Sequence, residues 1–244
     1  MFSPDHSTIL EARSLTKRYG DVLALDSLDL KVVAGEIVCL LGANGAGKTT
    51  TINLFLGFAV PTSGDVFVAG RKVGESATAA RRALGYVAEL VTLYPTLSGA
   101  ENLEFFSALA GEVVDTARRD AVLARLRFPD GAIMRPAGTY SKGMRQKIGL
   151  AIALLKGARA ILLDEPLSGL DPAAANDLVT VLRETAAGGT ALLVSTHDIF
   201  RAKDLAHRIG IMRHGRLIEM LNPSGLSGPA LNDLYLTHMA ERAA

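Results

Sequence analysis

A surplus of charge, a second cysteine and a long apolar run are all missing from this chain of 244 residues. Its 26 Lys plus Arg stand against 25 Asp plus Glu, a net charge of +1, and the charges are dispersed. Without a basic field, nucleic acid is disfavoured as a partner. The lone Cys39 lies in an apolar run, which excludes an internal disulfide framework, fits a reducing compartment and reads as a small buried residue. Met1 to His6 show no basic start followed by an apolar stretch, so no secretion leader is expected. The most apolar segment, 148–163, is broken by Lys156 and Arg159 and falls short of the ~18 uninterrupted residues a membrane span needs. No repeat or low-complexity tract is present. If the chain serves a membrane process, another polypeptide must supply the membrane part.

What is there is a composition 49% apolar, enough for one large domain carrying a subdomain. Residues 8–13 and 27–33 read as strands, the second alternating as a sheet with one wet face does. Residues 36–41, 160–163 and 190–195 are continuous apolar runs too short for typical helices, and helical patterns lie between them. Strands buried on both faces and separated by helices imply a parallel α/β sheet, whose ligands sit beyond the carboxyl ends of the strands. From about 90 to 155 the pattern turns helical, at 100–109 and 116–126, with no convincing buried strand. Pro129, Gly131, Pro136 and Gly138 mark a loop before Ser141, which suits a helix N-cap. Segments 209–213 and 216–220 flank His214-Gly215 as a hairpin, and 228–244 reads as a short amphipathic helix.

Gly42-Ala43-Asn44-Gly45-Ala46-Gly47-Lys48-Thr49 fits G-x-x-x-x-G-K-[ST] at every fixed position, after a buried strand and at the start of a helix. Such a loop turns successive backbone N–H groups onto phosphates, with glycines where a Cβ would clash or φ must be positive. Thr50 follows in the same helical turn, whose positive end faces the anion. Lys48 would supply a point charge for the β- and γ-phosphates and Thr49 a hydroxyl for Mg²⁺. Asp164, ending a buried strand, is placed to hold the metal, while Glu165, one residue on, points elsewhere and can polarise an attacking water. Two acids at one strand end are costly unless a cation is near.

Taken together, these motifs resemble the nucleotide-binding subunit of ATP-binding cassette (ABC) transporters over about residues 8–220. The loop and the Asp164-Glu165 pair are similar to its Walker A and Walker B elements, Glu165 matching the catalytic glutamate. Tyr140-Ser141-Lys142-Gly143-Met144-Arg145-Gln146 resembles the family signature, Ser168-Gly169-Leu170-Asp171 the D-loop, His197 the switch histidine, and Tyr19 the aromatic residue that stacks on adenine. Taken alone, Ser141 is an ordinary helix cap, His197 a surface histidine, and Tyr19 a residue closing a hairpin. His6, His207, His214 and His238 have no comparable placement.

The resemblance implies an α/β fold: a P-loop NTPase core with a mainly parallel sheet, an N-terminal antiparallel β subdomain and an inserted α-helical subdomain. One ABC ATPase domain would span 1–225, with the core at 1–89 and 156–225 and the helical part at 90–155, followed by a short helical tail at 226–244. It further implies ATP and Mg²⁺ as ligands and head-to-tail pairing with a second ATPase subunit, either another copy or a close relative. Ser141 and Gly143 of one subunit would then meet the γ-phosphate bound by the other, with Asp171 at the same interface. Two departures matter. Glu89 stands where the family usually has a metal-binding Gln; its carboxylate can still coordinate Mg²⁺ but repels hydroxide. Lys142 and Met144 replace commoner Gly and Gln, as in the subgroup that works with ABC-2 type permeases, which suggests export and a place on the cytoplasmic side of the membrane. Competing expectations are a soluble cassette ATPase without a permease and a nucleotide-gated regulator without turnover.

Overall fold

Five consecutive apolar residues, Ile-Val-Cys-Leu-Leu, leave no polar face for water, so the strand they form is covered on both sides. The computed structural model describes residues 8–74 and 77–240. In chain order these form β1 (Thr8–Tyr19), β2 (Val22–Val33), β3 (Ile37–Leu41), α1 (Lys48–Leu56), β4 (Ser63–Val68), β5 (Arg71–Lys72), α2 (Ala77–Arg82), β6 (Leu84–Val87), α3 (Gly99–Leu109), α4 (Thr116–Arg125), α5 (Lys142–Leu155), β7 (Ala160–Asp164), α6 (Pro172–Ala187), β8 (Ala191–Thr196), α7 (Ile199–Leu205), β9 (Arg208–Arg213), β10 (Arg216–Leu221) and α8 (Gly228–Ala240). His6 and residues 241–244 of the expected tail lie outside the described residues.

Two sheets result. The central one has six strands in the order β10-β9-β3-β8-β7-β6, parallel except for the edge strand β10, which returns from β9 through the expected hairpin. The other has four antiparallel strands in the order β2-β1-β4-β5. Alternation along β3 divides the core. Val38 and Leu40 face a cluster with Leu10, Leu15 and Leu28 of the antiparallel sheet and Ile52 and Phe55 of α1. Ile37, Cys39 and Leu41 face the other cluster, with Ile148 of α5, Leu182 of α6 and Leu205 of α7. Burial also pushes the Cys39 thiol far up from its ordinary range.

Strands β1 and β2 are longer than the sequence pattern indicates. Ser14 and Ser27 adopt positive φ, 44° and 51°, where the pairing register shifts, and these irregularities break the alternation. Strands β4, β5 and β6 and helix α2 were not anticipated. Between β6 and β7 the described chain is helical, as expected. Ser98 and Glu101 form a reciprocal capping box on α3, and buried Asn102 ties the preceding turn through Tyr94 and Leu97. Leu103, Leu123 and Ile148 bring α3, α4 and α5 into one core with the central sheet. No helix of the described residues is long and apolar enough to cross a membrane.

Candidate functional site

Strand β3 ends at Leu41, and the chain then folds over its carboxyl end before α1 begins. Gly42 N–H donates to the Thr196 carbonyl, and the Gly215 N–H of the β9–β10 turn donates to the Ala46 carbonyl, so two neighbouring segments brace the loop. Gly47 sits at φ 104°, and a methyl group there would lie 2.9 Å from the Ala24 carbonyl oxygen. Only glycine meets both demands. Helices α3 through α7 each start with a Ser or Asp side chain accepting from a backbone N–H; α1 starts at Gly47 with no side-chain cap. Its first turn instead lines an open cleft of about 500 Å³, together with Val22, Leu23 and Ala24 of β2, Glu89, Asp164, Glu165 and His214. Donors without side-chain partners at a helix N-terminus favour an anion.

Three elements bring the charged groups together. Lys48, 6% exposed, donates to the carbonyls of Gly42 and Ala43 at 2.6 and 3.2 Å, and its Nζ is 3.7 Å from Glu165 Oε1. Burial pushes this ammonium below its usual range, and the Glu165 and Asp164 carboxylates oppose the shift. Asp164 accepts from the Thr49 hydroxyl at 3.2 Å and from Ser195 on the adjacent strand β8. Glu165 follows at φ 46°, outside strand conformation, which aims its side chain at the same rim rather than away from it. There its second oxygen lies 3.0 Å from His197 Nδ1. Lys48, Glu165 and His197 are thus linked in a row, apart from the Thr49 and Ser195 hydroxyls that meet Asp164.

The donor set bears on a metal ion. Among the described residues, no group of three or more His, Cys, Asp or Glu is arranged as a metal cage. Thr49 and Asp164 nevertheless offer two hard oxygen donors side by side, which fits a Mg²⁺ that takes its remaining ligands from phosphate and water. Glu89 also lines this cleft.

Other expected site residues fall elsewhere. Gly42 and Ala43 act through their carbonyls on Lys48, outside the cleft lining, whereas Asn44, Gly45, Ala46, Gly47 and Thr50 are within it. Tyr19 is half exposed at the β1–β2 turn, paired with Val22, with the Lys17 ammonium 4.7 Å from its ring centre; it does not line the cleft. Ser141 caps α5 by accepting from Met144 N–H, and with Gly143 it lines a separate depression of about 160 Å³ beside Ala174 and Asp177. Asp171 caps α6 through Ala174 N–H. Two contributors escaped the sequence reading. Ser195 braces Asp164 and accepts from Glu165 N–H; its signal was a hydroxyl residue ending a buried strand. His214 lines the cleft from a hairpin turn at φ 48°, a placement no local pattern reveals. His207 Nδ1 accepts from Ile37 N–H, and His238 pairs with Glu219, both away from the cleft.

Over 231 residues, 93% of its length, the chain is 34% identical to the probable multidrug ABC transporter ATP-binding protein YbhF of Escherichia coli (strain K12), but it spans only 39% of that protein. It is 33% identical over 220 residues to the bacitracin transport ATP-binding protein BcrA of Enterococcus faecalis, covering 89% of this chain and 70% of that one. A solved structure described as an ATP binding subunit of an ABC transporter superimposes with a TM-score of 0.82 at 29% identity, covering 95% of this chain and all of that one. Residues 25–168 match the family described as ABC transporter, and the chain belongs to that family.

Proposed function

We propose that this chain is the ATP-hydrolysing subunit of an ABC transporter and powers a separate membrane permease. The observation that carries this reading is the convergence of Lys48, Thr49, Asp164 and Glu165 on one cleft at the carboxyl ends of β3 and β7. In this role the backbone N–H groups from Asn44 to Thr50, together with Lys48, bind the β- and γ-phosphates of ATP. Lys48 exchanges the Gly42 and Ala43 carbonyls for phosphate oxygens, and Glu165 is then freed from its ammonium. Thr49, Asp164 and Glu89 would hold Mg²⁺, which supplies charge neutralisation at the γ-phosphoryl oxygens. Glu165 takes a proton from the water that attacks the γ-phosphorus as the bond to ADP breaks. His197 gives its N–H to the γ-phosphate in place of Glu165, and Tyr19 stacks on adenine once nucleotide brings the β1–β2 turn toward the cleft.

A second subunit completes each site. Ser141 and Gly143, at the start of α5, and Asp171 would face ATP bound by the partner subunit, so that ATP closes the dimer and hydrolysis reopens it. The domain division is proposed as above, with 90–155 as the helical subdomain. A groove of about 290 Å³ lined by Leu90, Leu93, Pro95 and Gly138 is the proposed seat for a cytoplasmic helix of an ABC-2 type permease. The multidrug and bacitracin relatives, together with the Ser-Lys-Gly-Met sequence, support export from the cytoplasmic face of the membrane.

The test is ATP hydrolysis by the purified chain. Lys48→Ala is expected to lower turnover by about 10²–10³, the scale of removing one preorganised charge or donor from a developing oxyanion. A variant that releases phosphate at the wild-type rate would refute the assignment of the cleft.

A further inference from the structure

Glu89, beyond the end of β6, and Lys142, in the first turn of α5, meet in space. Lys142 Nζ lies 3.8 Å from Glu89 Oε1; the ammonium side chain is 25% exposed and the carboxylate 51%. Glu89 lines the nucleotide cleft, while Lys142 lines the neighbouring groove beside Leu90 and Leu93. One turn further along α5, buried Gln146 donates its side-chain amide to the carbonyls of Ala88 and Glu89, at 3.2 and 3.0 Å. A spacing of four places Lys142 and Gln146 on the same face of the helix. Helix α5 therefore grips this loop twice, by backbone through Gln146 and by side-chain charge through Lys142. On its other side the Lys142 ammonium borders Gly169, where a methyl group would sit 3.6 Å away.

Three carboxylates line the cleft, and each is held differently. Asp164 is held by the hydroxyls of Thr49 and Ser195, and Glu165 by Lys48 and His197. Glu89 has Lys142. A Glu89 carboxylate released into the cleft would repel a bare triphosphate and attract one that carries Mg²⁺. We infer that Lys142 is a positioning residue for Glu89: its ammonium keeps the carboxylate at the rim and yields it to the metal–nucleotide complex. The inference rests on the assignment of the cleft to ATP and Mg²⁺.

Affinity for a methylanthraniloyl-labelled ATP, measured once with Mg²⁺ and once with EDTA, reads this directly without turnover. Lys142→Met is expected to raise the ratio of the EDTA Kd to the Mg²⁺ Kd by about fivefold, the upper end for a partly exposed ion pair. Lys142→Arg keeps the charge and should keep the wild-type ratio. In a Glu89→Gln background the same Lys142→Met change should leave the ratio unmoved. Equal shifts in both backgrounds, or no shift in the wild-type background, would overturn the inference. Lys48→Ala separates the two levels: loss of labelled-nucleotide binding in that variant leaves the cleft assignment standing whatever Lys142 does, while its retention overturns the assignment and this inference with it.

Discussion

Glu165→Gln is expected to cut ATP turnover by about 10²–10⁴, the range contributed by a positioned general base, while nucleotide still binds. The amide matches the carboxylate in shape and can still meet His197 Nδ1, now 3.0 Å from Glu165 Oε2, so the rim should not rearrange. What is lost is the ability to take a proton from water. Removing the charge 3.7 Å from Lys48 should, if anything, free the lysine for phosphate. Binding without release should then accumulate the ATP-closed dimer, visible as an increase in hydrodynamic size in saturating ATP and Mg²⁺. Phosphate release at the wild-type rate would remove Glu165 from the mechanism; slow turnover in a chain that stays monomeric with saturating ATP would retain the base and reject the dimer.

Phe55→Ala should be the most damaging change outside the cleft. Its ring is fully buried in the core between the antiparallel sheet and β3, on the helix whose first turn forms the phosphate loop's exit. Truncating a buried Phe to Ala typically costs about 3–5 kcal/mol, since the lost transfer energy is compounded by the cavity left behind. For a domain of this size each kcal/mol lowers Tm by about 2–4 °C, so a fall of roughly 6–20 °C is expected in a thermal melt. A fall of less than about 2 °C would mean that the core closes over the gap and that the packing account of α1 is wrong.

The parts of the fold legible in the sequence were those where burial writes a simple pattern. β3, β7 and β8 stand out because both faces of each are apolar, and the β9–β10 hairpin because His214-Gly215 interrupts two strand-like runs. β6 was hidden because its four residues include Gly85 and an exposed Tyr86, so neither alternation nor a continuous run appears. β4 opens with Ser63-Gly64-Asp65, which reads as a turn, and only Val66 and Val68 belong to its buried face.

Site chemistry followed the same division. Residue types and spacing placed Lys48, Thr49 and Asp164, because loop, helix and strand end are local. The positive φ that accompanies the turn of Glu165 toward Lys48 and His197 was not legible, since nothing local in the sequence marks it. Partners supplied from distant segments, such as Ser195 to Asp164, Gln146 to the Glu89 loop and His214 to the cleft, depend on topology that no local pattern contains.

Cys39 has a practical consequence. It is the chain's sole thiol, lies in the middle of the central strand with no exposed surface, and is held protonated by its surroundings. A thiol reagent can reach it only when the layer that covers that face of the sheet, Leu167, Ala202 and Leu205 included, opens. The rate of covalent labelling therefore clocks rare openings of the native molecule. Because a ligand that binds only the closed form makes those openings rarer, the same clock registers nucleotide binding without any engineered probe.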